Sequence, residues 1–392
     1  MASAQPPKNR DEFRVAIMCA LSREADAMSL LFDEFWDEMG DPYGRVDSDT
    51  NSYITGRIEK HNVVMTILSG MGTSSAAAAS VNLKASYTGL QLVLLVGVCG
   101  GLPRIGDKDA FLGDVIVSKQ IVGYDNIFDD GTRRPNPDIR PLLAVLDTEF
   151  MEKRLKRAAA FHLKELQQEA KEQMRRAEYH YPGAKNDTVY PPEYSHKHRD
   201  SCLRCSEDPD FFCMSAFKSS CAELGCEPEK LIPREHREDL PEGANFAPEI
   251  FIGRLGSGNT VMKSGLDRDL IAARHNVIAF EMEGAGIGEE VPCIVVKGIC
   301  DYADSHKNKT WQNFAAAAAA SVAKAILVWF PSSSDGQYEP SLQAHYETNE
   351  LSVANNALAV SACVNQDEIT RSFTYISEPA QTLGQLKLTL DI

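Results

Sequence analysis

Ala279-Phe280-Glu281-Met282-Glu283-Gly284, followed by Cys293-Ile294-Val295-Val296-Lys297-Gly298-Ile299-Cys300-Asp301, sets two short apolar runs in succession, each ending in acid. Runs of this length, rich in Val, Ile and Phe, read as buried strands. A carboxylate at the end of a buried strand costs free energy unless it has a partner or a task. In open α/β sheets the carboxyl ends of strands are where ligands bind. Acids at Glu281, Glu283 and Asp301 therefore suit a polar, hydroxylated ligand that also needs a proton moved.

Working outward, the same grammar recurs. Phe13–Leu21 is an apolar run ending at Ser22, a candidate N-cap, and Ala25, Met28, Leu31, Phe32 and Phe35 follow at helical spacing. Asn62–Ser69 reads as a second strand, and Gly70-Met71-Gly72 turns it into an alanine-rich helix. Leu92–Val98 is a third strand whose continuous apolar character predicts burial on both faces, and Gly113–Val122 is a fourth. The pattern resumes with Glu249–Gly253, a helix after Gly265, strands over 277–281 and 293–299, and a helix from Thr310 to Trp329. Alternating strands and helices predict an α/β fold with helices on both sides of a sheet.

Between these halves the pattern breaks. Leu142–Tyr179 is helical and highly charged, and Pro182–Ala247 is polar and rich in Pro and Cys, so 142–248 reads as an insertion. From Pro331 the chain is rich in Ser, Asn and Gln with weak periodicity, which predicts a mobile tail over 331–392 beside a domain over 12–330. The net charge of −16 argues against binding a nucleic-acid backbone. The polar residues 1–12 predict no signal peptide, hence a cytoplasmic protein with mostly reduced thiols. Phe314–Phe330 is mostly alanine and carries Lys324, so it reads as a packed helix and not a membrane span.

Three further motifs bear on chemistry. Gly70-Met71-Gly72 lacks the third glycine of a dinucleotide fingerprint and reads as a tight turn. Gly97-Val98-Cys99-Gly100-Gly101 follows a buried strand, where glycines let a ligand lie against the backbone, so Val98 and Gly100 are expected to face it. Cys202-x-x-Cys205 lies near His196, His198, Cys213, Cys221 and Cys226, and a structural zinc would use four of these. Cys221 and Cys226 are separated by four residues without a matching knuckle, so the expectation is scattered thiols and no metal. His306 and Lys307 are expected to cap the next helix and line a solvated loop.

Phe280–Gly286, Gly298–Lys309 and Ser257-Gly258-Asn259-Thr260-Val261-Met262-Lys263 stand together in an order that closely resembles the purine and uridine phosphorylase superfamily. Within it, the chain is similar to the fungal branch found fused to NACHT, ankyrin or TPR modules. Tyr181-Pro182-Gly183 and the Cys202/Cys205 pair share that resemblance, which covers about residues 12–330. It implies a three-layer α/β/α fold around a mixed sheet, usually in homo-oligomers, and cleavage of the N-glycosidic bond of nucleosides by phosphate or by water, without cofactor or metal. It also implies roles: Glu283 on the ribose hydroxyls, Met282 packed on the ribose with Glu281 beside it, and Asp301 at purine N7. Glu24 falls where the nucleosidases activate water, Lys297 lies near that water, and Leu255 to Asn259 meet the base.

Leaving-group departure creates a ribosyl cation and an electron-rich purine. A carboxylate stabilises the first and an acid at N7 neutralises the second. Burial of Asp301 is expected to keep a proton on it. Phosphate sites use glycine-rich backbone and arginines. Here the first loop, Cys19-Ala20-Leu21-Ser22-Arg23-Glu24, has no glycine, and Leu95 and Val98 are apolar. Losing two charge-assisted contacts costs roughly 3–6 kcal/mol. The expectation is a purine nucleoside N-ribohydrolase acting on adenosine, inosine or guanosine types. A phosphorylase and a non-catalytic nucleoside-sensing module are the alternatives.

Overall fold

The computed structural model describes residues 5–125, 132–133, 135–199, 202–207, 213–234, 246–289 and 291–332. Its strands are β1 (Val15–Cys19), β2 (Tyr53–Ile58), β3 (His61–Ile67), β4 (Leu92–Gly101), β5 (Val115–Gly123), β6 (Ile250–Ser257), β7 (Val277–Glu281) and β8 (Cys293–Asp301). They run side by side as β7-β6-β5-β8-β4-β1-β3-β2 in one mixed sheet, with short strands Glu34–Phe35 beside β2 and Thr132–Arg133 beside β5. β7 also pairs antiparallel with β4, through Ala279 with Gly101 and Phe280 with Gly100. That pairing closes β4, β8, β5, β6 and β7 into a ring. The ring brings the ends of β4, β7 and β8 to one place.

The helices that matter are α1 (Ser22–Ser29), α2 (Thr73–Ser86), α3 (Glu149–Glu172), α4 (Gly265–His275) and α5 (Gln312–Trp329). α5 lies across β4, β5 and β8, with α1 and α3 packed on it. Its alanines permit very close approach: a Cβ on Gly298 of β8 would stand 2.0 Å from the Ala315 carbonyl oxygen. Lys324, buried in α5, bonds the Leu31 carbonyl at 3.2 Å and Asp33 at 2.9 Å. Among the described residues, no helix is long and apolar enough to cross a membrane. Helix α1 does begin at Ser22, but its N-terminal amides are not capped by that hydroxyl. Leu21 is the N-cap residue, and the Glu24 carboxylate accepts from the Ala20 and Leu21 amides ahead of the helix, both at 2.9 Å.

Two differences from the sequence reading have plain causes. β2 was not expected, because Tyr53-Ile54-Thr55-Gly56-Arg57-Ile58 mixes polar residues and a glycine into its apolar pattern. The segment 142–172 reads as part of a polar insertion, yet Leu155, Leu163 and Leu166 of α3 sit in the main core. Their spacing makes one apolar stripe on an otherwise charged helix. Beyond α3 the described residues up to Arg234 are irregular, with short helices Leu203–Glu207 and Met214–Lys218. They are tied to the main sheet through Asp187, which accepts from Tyr302 Oη at 2.6 Å and from Arg234 at 2.5 Å. The described residues up to Phe330 form one unit, and the tail expected over 331–392 lies outside the described residues beyond 332.

Candidate active site

The ends of β4, β7 and β8 and the start of α1 enclose a cavity of about 370 Å³. Its wall includes Glu24, Val98, Gly100, Glu281, Met282, Glu283 and Asp301. Seven of the ten residues expected at the site therefore share one cavity. Leu255 is fully buried in the core instead. Asn259 is exposed, and its Oδ1 accepts from the Thr73 amide at 3.0 Å, bracing the turn into α2. Lys297 lies beneath the wall, fully buried, with Nζ 3.2 Å from Glu283 Oε2.

Each carboxylate is held differently. Glu24 reaches from α1 across to β4, where Oε1 accepts from the Val98 amide at 2.9 Å. Gly97 makes room for it, since a Cβ there would stand 2.2 Å from Glu24 Oε1. Burial pushes the Glu24 carboxyl above the ordinary range, with Lys297 opposing. Glu281 turns back on its own chain and accepts from the Glu283 and Gly284 amides at 3.0 and 2.9 Å. Burial raises its carboxyl too. Its oxygens thus shape the loop that presents Glu283. Glu283 bonds the Gly72 amide at 3.3 Å and Lys297 on its other oxygen. Burial pulls the Lys297 ammonium down, but Glu283, Glu24 and Glu281 outweigh it and the net shift is upward. The lysine stays charged and is a shared counter-ion for three acids.

Asp301 ends β8 at an irregularity in its pairing with β4, opposite Gly100. Oδ1 accepts from the Ala303 amide at 2.9 Å. Ala303 adopts a left-handed φ of 53°, unusual for a residue with a Cβ, and this reverses the chain. The reversal returns Lys307 to the cavity, with Nζ 3.1 Å from Asp301 Oδ2. Burial opposes its charge, but Asp301 more than restores it. Lys307 is thus a site residue that the sequence reading set in solvated loop. The sequence expectation was that burial keeps a proton on Asp301, whereas the structure pairs its carboxyl with the Lys307 ammonium. His306 points away from the cavity and is buried against Tyr190, with ring centroids 4.1 Å apart.

The remaining wall is apolar and lysine-bearing: Met71, Tyr124, Phe217 and Phe280, with Lys263 and Lys309. Flat aromatic surfaces beside buried acids suit a base attached to a hydroxylated ring. Arg23, the cation of the first loop, is off the wall and directs Nη1 toward Asn313 at 3.4 Å.

The profile of the phosphorylase superfamily matches residues 14–328, and the chain belongs to that superfamily. It is 30% identical over 336 residues to a nucleotide-binding leucine-rich repeat (NLR)-like protein of Hyaloscypha variabilis. That match takes in 83% of this chain but 30% of the relative, so the chain spans less than a third of the protein it resembles. Among solved structures it is similar to the 5′-methylthioadenosine/S-adenosylhomocysteine nucleosidase of Helicobacter pylori, at 15% identity and TM-score 0.47, covering 81% of this chain and 99% of that one. It is also similar to the Helicobacter pylori futalosine hydrolase, at 15% identity and TM-score 0.45, with the same coverage. At these values the likeness assigns no residue of this chain.

The expectation of scattered thiols does not describe what is seen in the irregular segment. His196, Cys221, Cys226 and His306 form one compact group, and His198, Cys202, Cys205 and Cys213 form another.

Proposed function

We propose that the protein is a purine nucleoside N-ribohydrolase, releasing free base and ribose by attack of water at C1′. The observation that carries this reading is the Glu24 carboxylate on the wall of the cavity that also holds Glu283 and Asp301. In this reading Glu283 binds the ribose hydroxyls, with Lys297 fixing its orientation. As the glycosidic bond breaks, the neighbouring carboxylates stabilise positive charge on the sugar. Asp301 and Lys307 meet the departing base and supply a proton or positive charge to it. Glu24 takes the proton from water, and a carboxyl raised by burial is a stronger base than an ordinary glutamate.

A phosphate dianion would face Glu24 at the place where a phosphorylase needs cations. The phosphorolytic alternative is favoured by one observation, the lysines at 263, 307 and 309 on the wall. Incubation of the protein with inosine in phosphate-free buffer decides between them. Free ribose is expected; turnover that requires phosphate and gives ribose 1-phosphate makes the protein a phosphorylase. Absence of turnover on every purine nucleoside would favour a sensing module.

A further inference from the structure

The irregular segment after α3 anchors Tyr179, Val189 and Phe246 in the main core, but from Tyr190 to Leu231 it has little of its own to hold it. Its helices are five residues long, and its own buried cluster is Tyr190, Ala216, Leu224 and Cys226. Segments with so small a core are ordinarily held by disulfides or metal. The described cysteines are free thiols. Yet the thiols and imidazoles meet in two groups of four, and within each group the ligand atoms all lie within 4.8 Å of one another.

The spacing is that of a metal tetrahedron. In the first group Cys221 Sγ is 3.6 Å from both His196 Nδ1 and His306 Nδ1, and Cys226 Sγ is 3.5 Å from His196 Nδ1. In the second, His198 Nδ1 is 3.6 Å from Cys205 Sγ and 3.7 Å from Cys213 Sγ. With Zn–S near 2.3 Å and Zn–N near 2.0–2.1 Å, the sulfur–nitrogen edge of a zinc tetrahedron is about 3.6 Å. The rings are also turned for coordination. His196 Nε2 is 2.9 Å from the Ser219 carbonyl, and His306 Nε2 is 2.7 Å from the Tyr194 carbonyl. A carbonyl only accepts, so the proton sits on Nε2 and the bare Nδ1 lone pair faces the thiols. Such outer hydrogen bonds are what fix metal-ligating histidines.

We propose that the two groups hold two zinc ions, and that the one on His196, Cys221, Cys226 and His306 clamps the irregular segment onto the loop carrying Asp301 and Lys307. Four protein ligands of mixed thiolate and imidazole type define closed, structural sites with no open position for catalysis. On binding, two thiols at the first site and three at the second release their protons to solvent. The first site is then neutral, which suits a position against the buried end of β8. His306 is a positioning residue: it lies on the same loop as Asp301 but contributes nothing to the cavity wall.

The test is metal content of the untagged full chain, purified under reducing conditions and reconstituted with Zn2+. Elemental analysis and native mass spectrometry are expected to give two zinc ions per chain. Cys221→Ser with Cys226→Ser should leave one, and Cys202→Ser with Cys205→Ser should leave the other. On the wild type, which does not depend on the variants folding, a mercurial thiol reagent should release both ions to a zinc dye. Replacement by Co2+ should give thiolate-to-metal charge-transfer and tetrahedral d–d bands. A chain that stays metal-free, that takes up iron instead, or that shows a Cys221–Cys226 disulfide in peptide mapping overturns the proposal. A single zinc unaffected by the Cys202/Cys205 change overturns the second site. None of these readouts requires turnover, so they stand apart from the assignment of the reaction.

Discussion

At the scale of single residues, two predictions separate the acids. Glu24 accepts from three backbone amides through both of its oxygens, so Glu24→Gln removes the base and turns one of those acceptors into a donor. Hydrolysis should fall by roughly 10²–10⁴. Because burial raises the Glu24 carboxyl, the acid limb of kcat/KM should lie above the ordinary glutamate value of 4.5, the rate falling as pH drops through it. The variant's residual activity should lack that limb, and a limb that persists unchanged would remove Glu24 from the role of base. The same shift has a sign for stability. The folded value exceeds the unfolded one, so Glu24's contribution is full below the unfolded value and is lost as pH rises through the folded one. For the leaving group, Asp301→Asn should lower kcat on inosine by roughly 10²–10⁴ with modest change in KM, whereas Glu283→Gln should harm both. On a nitrophenyl riboside, whose leaving group needs no proton, Asp301→Asn should recover and Glu283→Gln should stay poor. Equal losses on both substrates would confine Asp301 to supporting its loop. Lys307 was not legible because it depends on one backbone angle. Nothing in the string Asp301-Tyr302-Ala303-Asp304-Ser305-His306-Lys307 announces that an alanine turns left-handed and returns the lysine to the aspartate.

At the scale of elements, most of the sheet was legible. Continuous apolar runs such as Leu92–Val96 and Cys293–Val296 admit little but buried strands, and their acidic or glycine-rich ends mark the site. The pairing of β7 with β4 that closes the ring was not legible, since it rests on contacts far apart in sequence. Leu255 and Asn259 lie off the wall, which takes Thr260 to Lys263 instead, because which residues after β6 face the cavity depends on that closure. Two glycines make the coupling of elements testable. A Cβ on Gly298 would collide with the Ala315 backbone, so Gly298→Ala must push α5 away from β8. Chemical denaturation should show a loss of about 1–3 kcal/mol or more. A Cβ on Gly97 would meet the Glu24 side chain, at 2.2 Å from Oε1 and 2.5 Å from Cδ. A side chain can swing aside where a backbone cannot. Gly97→Ala should therefore lose activity far more than stability, and the reverse ranking would show that Glu24 has no fixed place in the reaction.

At the scale of the whole molecule, the segment 142–248 shows where composition misleads. The helix was legible, but charge density hid the core-facing stripe of α3, because such a helix buries one stripe only. Conversely, the thiols between Cys202 and Cys226 look scattered along the chain because each four-ligand group is assembled across it, the first even borrowing His306. Spacing arguments find knuckles and miss ligands contributed from a distant loop. The cavity has a consequence of its own. At about 370 Å³ it lies at the small end of ligand pockets, and in the proposed reading its acids favour a neutral sugar over a phosphorylated one. In the proposed reading Asp301 and Lys307 stand at the base, where they would favour a ring nitrogen that takes up charge as the bond breaks, as N7 of a purine does and a uracil ring does not in the same place. Side-by-side rates on adenosine, inosine, guanosine, uridine and methylthioadenosine should put a purine first. Inosine 5′-monophosphate should be turned over less well than inosine, because a dianion enters a cavity that holds Glu24, Glu281 and Glu283. A clear preference for uridine would contradict the base assignment, and a preference for the monophosphate would move Lys263 and Lys309 from the wall into the substrate site.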